Sequence, residues 1–299
     1  MTVLPRHRPV ECKTIDGTTI AGWLYTVEGP APAIIMSHGF NCVKEMTLPE
    51  VAEAFHSLGY NVLLYDARSV GASGGQPRNL LNPLQMAEDL SDIYTYVAGL
   101  PSVDSHRIVL WGMSFGGVVS ACCAAIDRRP KALVMVCPLF HYVAPHKADK
   151  AYAQLIKDRV SQLRGNEPYS LAPFNAKGDN PIGMPGGLEA YTLMKAATEL
   201  GHPDFRDRIS LQTYQKLAMF RPKEYMDMIK APTMMIIPEL DGISPPEEQK
   251  EAFARITAPK REYWAKGKGH LNIATGDGSK EMVAATAAFF RDALEGQIQ

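Results

Sequence analysis

The 299-residue chain is short of several things. It has five cysteines, Cys12, Cys42, Cys122, Cys123 and Cys137. That odd, scattered set makes no disulfide framework and fits a reducing compartment, where thiols pack as small hydrophobes. Net charge is almost absent: 31 Lys and Arg against 32 Asp and Glu leave −1. Such a balance has no electrostatic footprint for nucleic acid or an anionic membrane, and neither is expected as a partner. Long hydrophobic runs are missing, since IVLWGM and ALVMVC fall far below the roughly 18 residues of a membrane helix. The opening MTVLPRHRPVEC lacks the apolar core of a secretory signal, and GQIQ at the end matches no retention or lipidation signal. A cytoplasmic protein is expected. There is no H-E-x-x-H and no C-x-x-C, and adjacent Cys122 and Cys123 point apart on a helix, so no metal site is expected. The glycines between 71 and 75 lack the G-x-G-x-x-G spacing and an acidic partner, so no nucleotide cofactor is expected.

What is present is ordinary globular material. Hydrophobic residues make up 46% and charged residues 21%, which excludes disorder over most of the length. Val10–Thr14 and Thr19–Tyr25 alternate, with Asp16-Gly17 between them as a hairpin turn. Short apolar strands then alternate with helical patterns. Strands are expected at Ala33–Ser37, Asn61–Tyr65, Arg107–Trp111 and Ala132–Cys137. Helices are expected at Leu48–Leu58, Pro83–Ala98 and Ser114–Asp127. That order implies a parallel sheet covered on both faces. The alternation breaks between His141 and Lys230. Helices are expected there at Tyr152–Leu163, Leu188–Leu200 and Leu211–Met219, with a Pro- and Gly-rich loop at Gly165–Gly187 and no strand. The sheet resumes at Thr233–Ile237 and Arg261–Trp264, with helices at Glu247–Ile256 and Lys280–Leu294. The expected organisation is one α/β domain, residues 1–140 and 231–299, interrupted by a helical cap at 141–230.

Chemistry concentrates at Gly112-Met113-Ser114-Phe115-Gly116-Gly117, between an apolar strand and an Ala-rich helix. This is the setting of a G-x-S-x-G nucleophile elbow, whose sharp turn tolerates no side chain at the flanking glycines. Ser114 then stands at a helix N-terminus, where the dipole favours developing negative charge. A serine nucleophile needs a base. Of eight histidines, His270 follows the last strand in Gly267-Lys268-Gly269-His270 and reaches the rim where Ser114 lies. His38 precedes the serine and reads as shaping its loop, while His141 and His146 read as solvated surface. The base needs an orienting acid. Asp241 is the first choice, on a turn held by Gly242 and Pro245, and Glu239 is its rival. Asp66 reads as structural. An oxyanion hole needs two aimed N–H groups, which Phe115 and Phe40 are placed to supply.

These segments, together with Ser37-His38-Gly39-Phe40 followed by Lys44-Glu45, the run Asp66–Gly75 and Leu100–Asp104, make the chain resemble the α/β-hydrolase superfamily. Within it they resemble a branch holding bacterial hydrolases near the X-Pro dipeptidyl-peptidase group and fungal polyketide transferases and thiohydrolases. The resemblance implies a mostly parallel eight-stranded sheet, a Ser114–Asp241–His270 triad, an oxyanion hole at Phe40 and Phe115, and two-step acyl chemistry without cofactor. The implied substrate is an apolar, polyketide-like acyl ester or thioester, free or tethered to a carrier protein. A C–C bond hydrolase or lactonase using the same three residues, and a ligand receptor on a hydrolase scaffold, are the alternatives. The sequence is compatible with a monomer or a homodimer. The cap carries Met184, Met194, Met219, Met226 and Met228, with Phe174, Tyr191, Phe205, Tyr214, Phe220 and Tyr225. These suit a large apolar ligand or form the cap's own core. Arg206, Arg208 and Arg221 are either surface charge or contacts for a carboxylate or phosphopantetheine, and Cys42 lies near the oxyanion loop.

Overall fold

The computed structural model describes residues 6–298, so the first residues of the expected leaderless start lie outside it. Strands β1 (Arg8–Lys13) and β2 (Thr19–Tyr25) form a hairpin closed at Gly17, whose φ of 82° suits a residue without Cβ. There follow β3 (Ala31–Ser37), α1 (Pro49–Ser57), β4 (Asn61–Tyr65), α2 (Pro83–Ala98), β5 (Val103–Met113), α3 (Phe115–Ile126) and β6 (Leu133–Val136). After an interruption that holds β7, β8 and α4 to α6 come β9 (Thr233–Pro238), α7 (Pro246–Ala254), β10 (Lys260–Ala265) and α8 (Gly276–Leu294).

The eight strands make one sheet in the order β1-β2-β4-β3-β5-β6-β9-β10. Every neighbouring pair from β4 to β10 is parallel, and the hairpin adds an antiparallel edge. All residues of β4, β6 and β9 are buried, as strands covered on both faces must be. On one face α1 and α8 enclose Phe55, Trp111, Phe289 and Phe290. On the other, α2 and α3 pack a core continuous with Leu155, Tyr214, Leu217 and Met226 of the interruption. The chain passes from β3 outward to β4 and returns to β5 on β3's other side. The strand order therefore reverses between β3 and β5, and the crevice beyond their carboxyl ends is where such sheets bind ligands.

The interruption holds α4 (Pro145–Leu163), α5 (Gly187–Glu199) and α6 (Thr213–Met219), then a 3-10 segment at Pro222–Met228. Two corrections arise. Helix α4 begins a full two turns before the expected Tyr152, because Pro145 at its first turn presets φ while the polar His146-Lys147 start shows no apolar period. The segment also contains strands: β7 (Ser170–Leu171) and β8 (Ile209–Ser210) pair antiparallel, too short for alternation to reveal. Among the described residues no helix is long and apolar enough to cross a membrane.

One buried ion pair ties the loops at the crevice together. Asp66, fully buried after β4, accepts from the backbone N–H of Lys44 at 2.7 Å and that of Ala72 at 2.9 Å. Its carboxylate also meets Lys44 Nζ at 2.8 Å, and Glu45 completes the ammonium's shell at 2.7 Å. Burial alone would lower Lys44, but the two carboxylates outweigh it and hold the ammonium above its usual value. Removing one partner strands the other, so Asp66→Ala is expected to cost about 3–5 kcal/mol of unfolding free energy in urea. A loss below about 1 kcal/mol would contradict the role given to this pair.

Candidate active site

The elbow is built by close approach. Ser114 has φ 55° and ψ −120°, a left-handed-side conformation costly for a residue with a Cβ. Its N–H donates to Val136 O at 2.8 Å and its carbonyl accepts from Gly117 N at 3.0 Å, which holds the turn from both sides. A Cβ on Gly112 would collide with the backbone of Gly116, and one on Gly116 with the carbonyls of Ser37 and His38. Both glycines are therefore steric requirements of packing α3 against β3 and β5.

Ser114, His270 and Asp241 come together although 127 and 29 residues separate them in sequence (241 − 114 and 270 − 241). His270 Nε2 lies 2.8 Å from Ser114 Oγ, and His270 Nδ1 lies 2.9 and 3.0 Å from the two Asp241 oxygens. All three are buried. Asp241 Oδ1 accepts from the N–H groups of Ile243 at 2.9 Å and Ser244 at 2.8 Å, and Oδ2 accepts from Gln249 Nε2 at 3.1 Å. These donors fix the carboxylate so that it presents acceptors to the imidazole. The rival Glu239 is turned elsewhere, accepting from the Gly267 N–H at 2.7 Å. It helps shape the loop that carries His270.

Two neighbours were not legible in the sequence. Gln249, buried on α7, braces Asp241, and its helical setting gives no local sign of that. Cys137 follows β6 with φ 40°, and its sulfur sits 3.9 Å from His270 Nε2 while the thiol donates to the His270 carbonyl at 3.6 Å. Burial, then the nearby Asp241 charge, push this thiol well above its usual pKa. It is a protonated brace for the His270 loop. Cys137, Asp241 and His270 form a compact donor group, but every oxygen of Asp241 is already engaged by the amides, Gln249 and the imidazole, which fits an acid–base chain.

The segment His38-Gly39-Phe40 passes beside Ser114: a Cβ on Gly39 would stand 3.9 Å from the Cβ of Ser114. The rings of Phe40 and Phe115 meet edge to face at 5.6 Å, but only Phe40 walls the cavity at Ser114, while Phe115 turns into the core behind it. That cavity has a volume of about 60 Å³ and a largely apolar lining. At roughly 10–15 Å³ per water it has room for a few. Cys42 lines it, and burial pushes its thiol up to about 12. His38 lines it as well, its Nε2 without a hydrogen-bond partner among the described residues. Burial, then Lys44, push His38 down to about 3.

From the interruption, Phe174, Met184 and Met194 reach the cavity. Tyr214, Phe220 and Met226 are core, and Tyr191, Phe205, Tyr225 and Met228 pack partly buried against it. Met219 is exposed. Arg208 and Arg221 are tied to backbone carbonyls of their own segment, and the Arg206 carbonyl accepts from Asn41 Nδ2 at 3.0 Å. His141 and His146 are exposed. A larger open cleft of about 1060 Å³ runs along α4, but Ser114, Asp241 and His270 do not line it. Glu189 on α5 accepts from the N–H of Leu271 at 3.1 Å, joining the interruption directly to the His270 loop.

Comparison with known proteins identifies the family. The family described as serine aminopeptidase, S33, matches residues 28–273. A thiohydrolase of Eupenicillium brefeldianum is 41% identical over 290 residues, covering 96% of this chain and 94% of its own. Polyketide transferase af380 of Aspergillus fumigatus is 37% identical over 289 residues, covering 96% and 98%. The solved structure of DcsB in complex with its substrate analogue superposes with a TM-score of 0.93 at 57% identity, over 97% of this chain and 99% of that one.

His38 generates a prediction with a definite sign. Unfolded, it binds a proton near pH 6.5; folded, only near pH 3. Between those values the unfolded state holds the extra proton, so stability present above pH 6.5 is lost as pH falls through the window. His38→Gln, which cannot titrate, is expected to lose less stability than wild type over that range in urea unfolding. Equal slopes for the two proteins would contradict the buried, neutral imidazole.

Proposed function

We propose that this chain, which belongs to the serine aminopeptidase S33 family of α/β hydrolases, is a serine acyl hydrolase or acyltransferase that works through a covalent acyl-Ser114. Membership alone makes it a hydrolase-type enzyme and sets aside the receptor alternative. The observation that carries the finer reading is the unbroken chain from Asp241 through His270 to Ser114 Oγ at hydrogen-bond distances. As Oγ attacks a carbonyl carbon, His270 Nε2 takes its proton, and Asp241 holds Nδ1–H and offsets the imidazolium charge. The N–H groups of Phe40 and Phe115 receive the oxyanion. The tetrahedral intermediate collapses with the leaving thiol or alcohol, which regains the proton from His270. Water or an alcohol then attacks the acyl-enzyme with His270 again as base, so the acceptor alone separates hydrolysis from transfer.

The substrate class proposed is an apolar, polyketide-like acyl thioester or ester. It is supported by the apolar cavity wall and by relatives named thiohydrolase and polyketide transferase. A carrier-protein thioester is the proposed tethered form. Residues 141–230 act as a cap over the catalytic domain, with Phe174, Met184 and Met194 as its contribution to the acyl wall.

A fluorophosphonate probe is expected to label the native protein and not Ser114→Ala. Asp241→Asn is expected to lower kcat on an acyl thioester by about 10⁴-fold, the scale of losing the orienting acid. Glu239→Gln is expected to stay within about tenfold of wild type, since the amide oxygen still accepts from the Gly267 N–H and at most about 1 kcal/mol of one loop hydrogen bond is weakened. Labelling retained in Ser114→Ala, or activity that survives Asp241→Asn and collapses in Glu239→Gln, would overturn the assignment. Product analysis with and without an added alcohol separates the hydrolase from the transferase.

A further inference from the structure

Two residues that the interruption lends to the cavity at Ser114 come from the two ends of one loop. Phe174 stands at its start and Met184 at its end, both buried and both lining the cavity. A single side chain between them holds both ends. Asn180, buried at 3% exposure, donates from Nδ2 to the Pro173 carbonyl at 2.8 Å, one residue before Phe174. Its Oδ1 accepts from the N–H of Ile182 at 3.0 Å and from that of Met184 itself at 3.1 Å. Nδ2 also donates to the buried Tyr214 hydroxyl at 3.0 Å. The amide is thereby fully engaged, and its orientation is fixed, since only the nitrogen can face a carbonyl and only the oxygen two N–H groups. The backbone carbonyl of Asn180 accepts from Lys147 Nζ at 3.0 Å and that of Ile182 from the Ala144 N–H at 2.8 Å, which ties the loop to the start of α4. Asn175 and Ile182, from the same loop, line the open cleft along α4. Open space, and not packed core alone, lies behind the wall, so these hydrogen bonds carry much of the task of placing it.

We propose that Asn180 is a positioning residue that fixes Phe174 and Met184 against the acyl chain and so sets how strongly the enzyme favours longer apolar acyl groups over short ones. The proposal rests on the acyl-enzyme reading above, which puts the acyl chain in this cavity. Asn180 is not among the residues that line the cavity and acts through the two that it clamps. A methylene gains its burial energy only against a wall that stays in contact, and a gap of about 0.5–1 Å forfeits a quarter to a half of each contact. Without the Asn180 amide, the Pro173 carbonyl and the N–H groups of Ile182 and Met184 are left buried without their partner. Leaving such groups unpaired is costly, and the loop relieves that cost by shifting toward the open cleft behind it. Phe174 and Met184 then withdraw from the chain together. A long acyl chain, which presents many methylenes to that wall, loses more than an acetyl group does.

The test is the ratio of kcat/KM for S-octanoyl-N-acetylcysteamine to that for S-acetyl-N-acetylcysteamine. A general loss of folded enzyme cancels in that ratio, so a merely structural role would not move it. Asn180→Ala is expected to lower it about tenfold, the scale of two methylenes left unburied. Asn180→Ser keeps a hydroxyl acceptor for the Ile182 N–H but is too short to span to Pro173, and its ratio is expected to fall between those of Asn180→Ala and the native protein. A folded Asn180→Ala whose ratio equals or exceeds the native one, whatever its melting temperature, would overturn the clamp. Should Asn180→Ala fail to fold, Asn180→Ser decides by the same measure, and a native ratio there would overturn it. Fluorophosphonate labelling keeps the two readings apart. Native protein that is neither labelled nor active on either thioester would remove the acyl-enzyme reading and the clamp with it. Native protein that is labelled, with a ratio untouched by Asn180→Ala, would remove the clamp alone.

Discussion

The site depends on one steric arrangement, the strained backbone of Ser114 wedged where α3 meets β3 and β5. Its positive φ lifts the hydroxyl clear of the sheet and starts α3 directly beneath it. The cost of that conformation is met by neighbours that leave it no alternative. Ser114 N is held by β6, its carbonyl caps the first turn of α3, and Gly112 and Gly116 let backbone touch backbone where any Cβ would intervene. Because Gly116 rests on the carbonyls of Ser37 and His38, the same contact fixes the loop that carries His38, Gly39 and Phe40. Ser114 and the His38–Phe40 loop are thus positioned by a single packing event.

Asp241 and His270 are delivered by the sheet in the same way. β9 and β10 run parallel in register from Thr233 and Lys260, so the loops bearing Asp241 and His270 leave the sheet side by side. Backbone amides of Ile243 and Ser244 then aim the Asp241 carboxylate, and Cys137 and Glu189 restrain the His270 loop from the sheet and from the interruption. Behind the oxyanion loop, the Asp66–Lys44 pair binds the turns after β3 and β4 to each other. Ser114, Asp241 and His270 are therefore held on strand ends and braced turns, while Phe174, Met184 and Met194 of the interruption supply wall. Rigid chemistry under a variable wall is an arrangement that can change substrates without changing mechanism.

Most of the fold was legible because its signals are local. Continuous apolar strands such as Asn61–Tyr65 and Thr233–Pro238 announce burial on both faces, and all eight sheet strands were placed. The proximity of Ser114, Asp241 and His270 was legible for a topological reason, since each lies just beyond the carboxyl end of a parallel strand. That Asp241 faces His270 while Glu239 turns to Gly267 is a matter of side-chain direction, which no local pattern encodes. Gln249 and Cys137 were illegible because their roles arise only when α7 and β6 are docked against the site. The cap was the least legible part. Nothing in sequence separates Met184, at the cavity, from Met219, at the surface, and the two-residue strands β7 and β8 exist only as a tertiary pairing. His38 was read as a loop-shaping residue. Its unpartnered nitrogen appears only when the walls around it are known.

The account stands or falls on a covalent acyl-Ser114. The most direct measurement is rapid-quench mass spectrometry of the native protein mixed with an acyl thioester, followed by peptide mapping. The account predicts one acyl mass added per chain, mapped to the peptide holding Ser114, formed with release of the thiol and discharged by water or alcohol. Turnover of the thioester with no covalent species at any quench time, or an acyl group mapped to a residue other than Ser114, would contradict it.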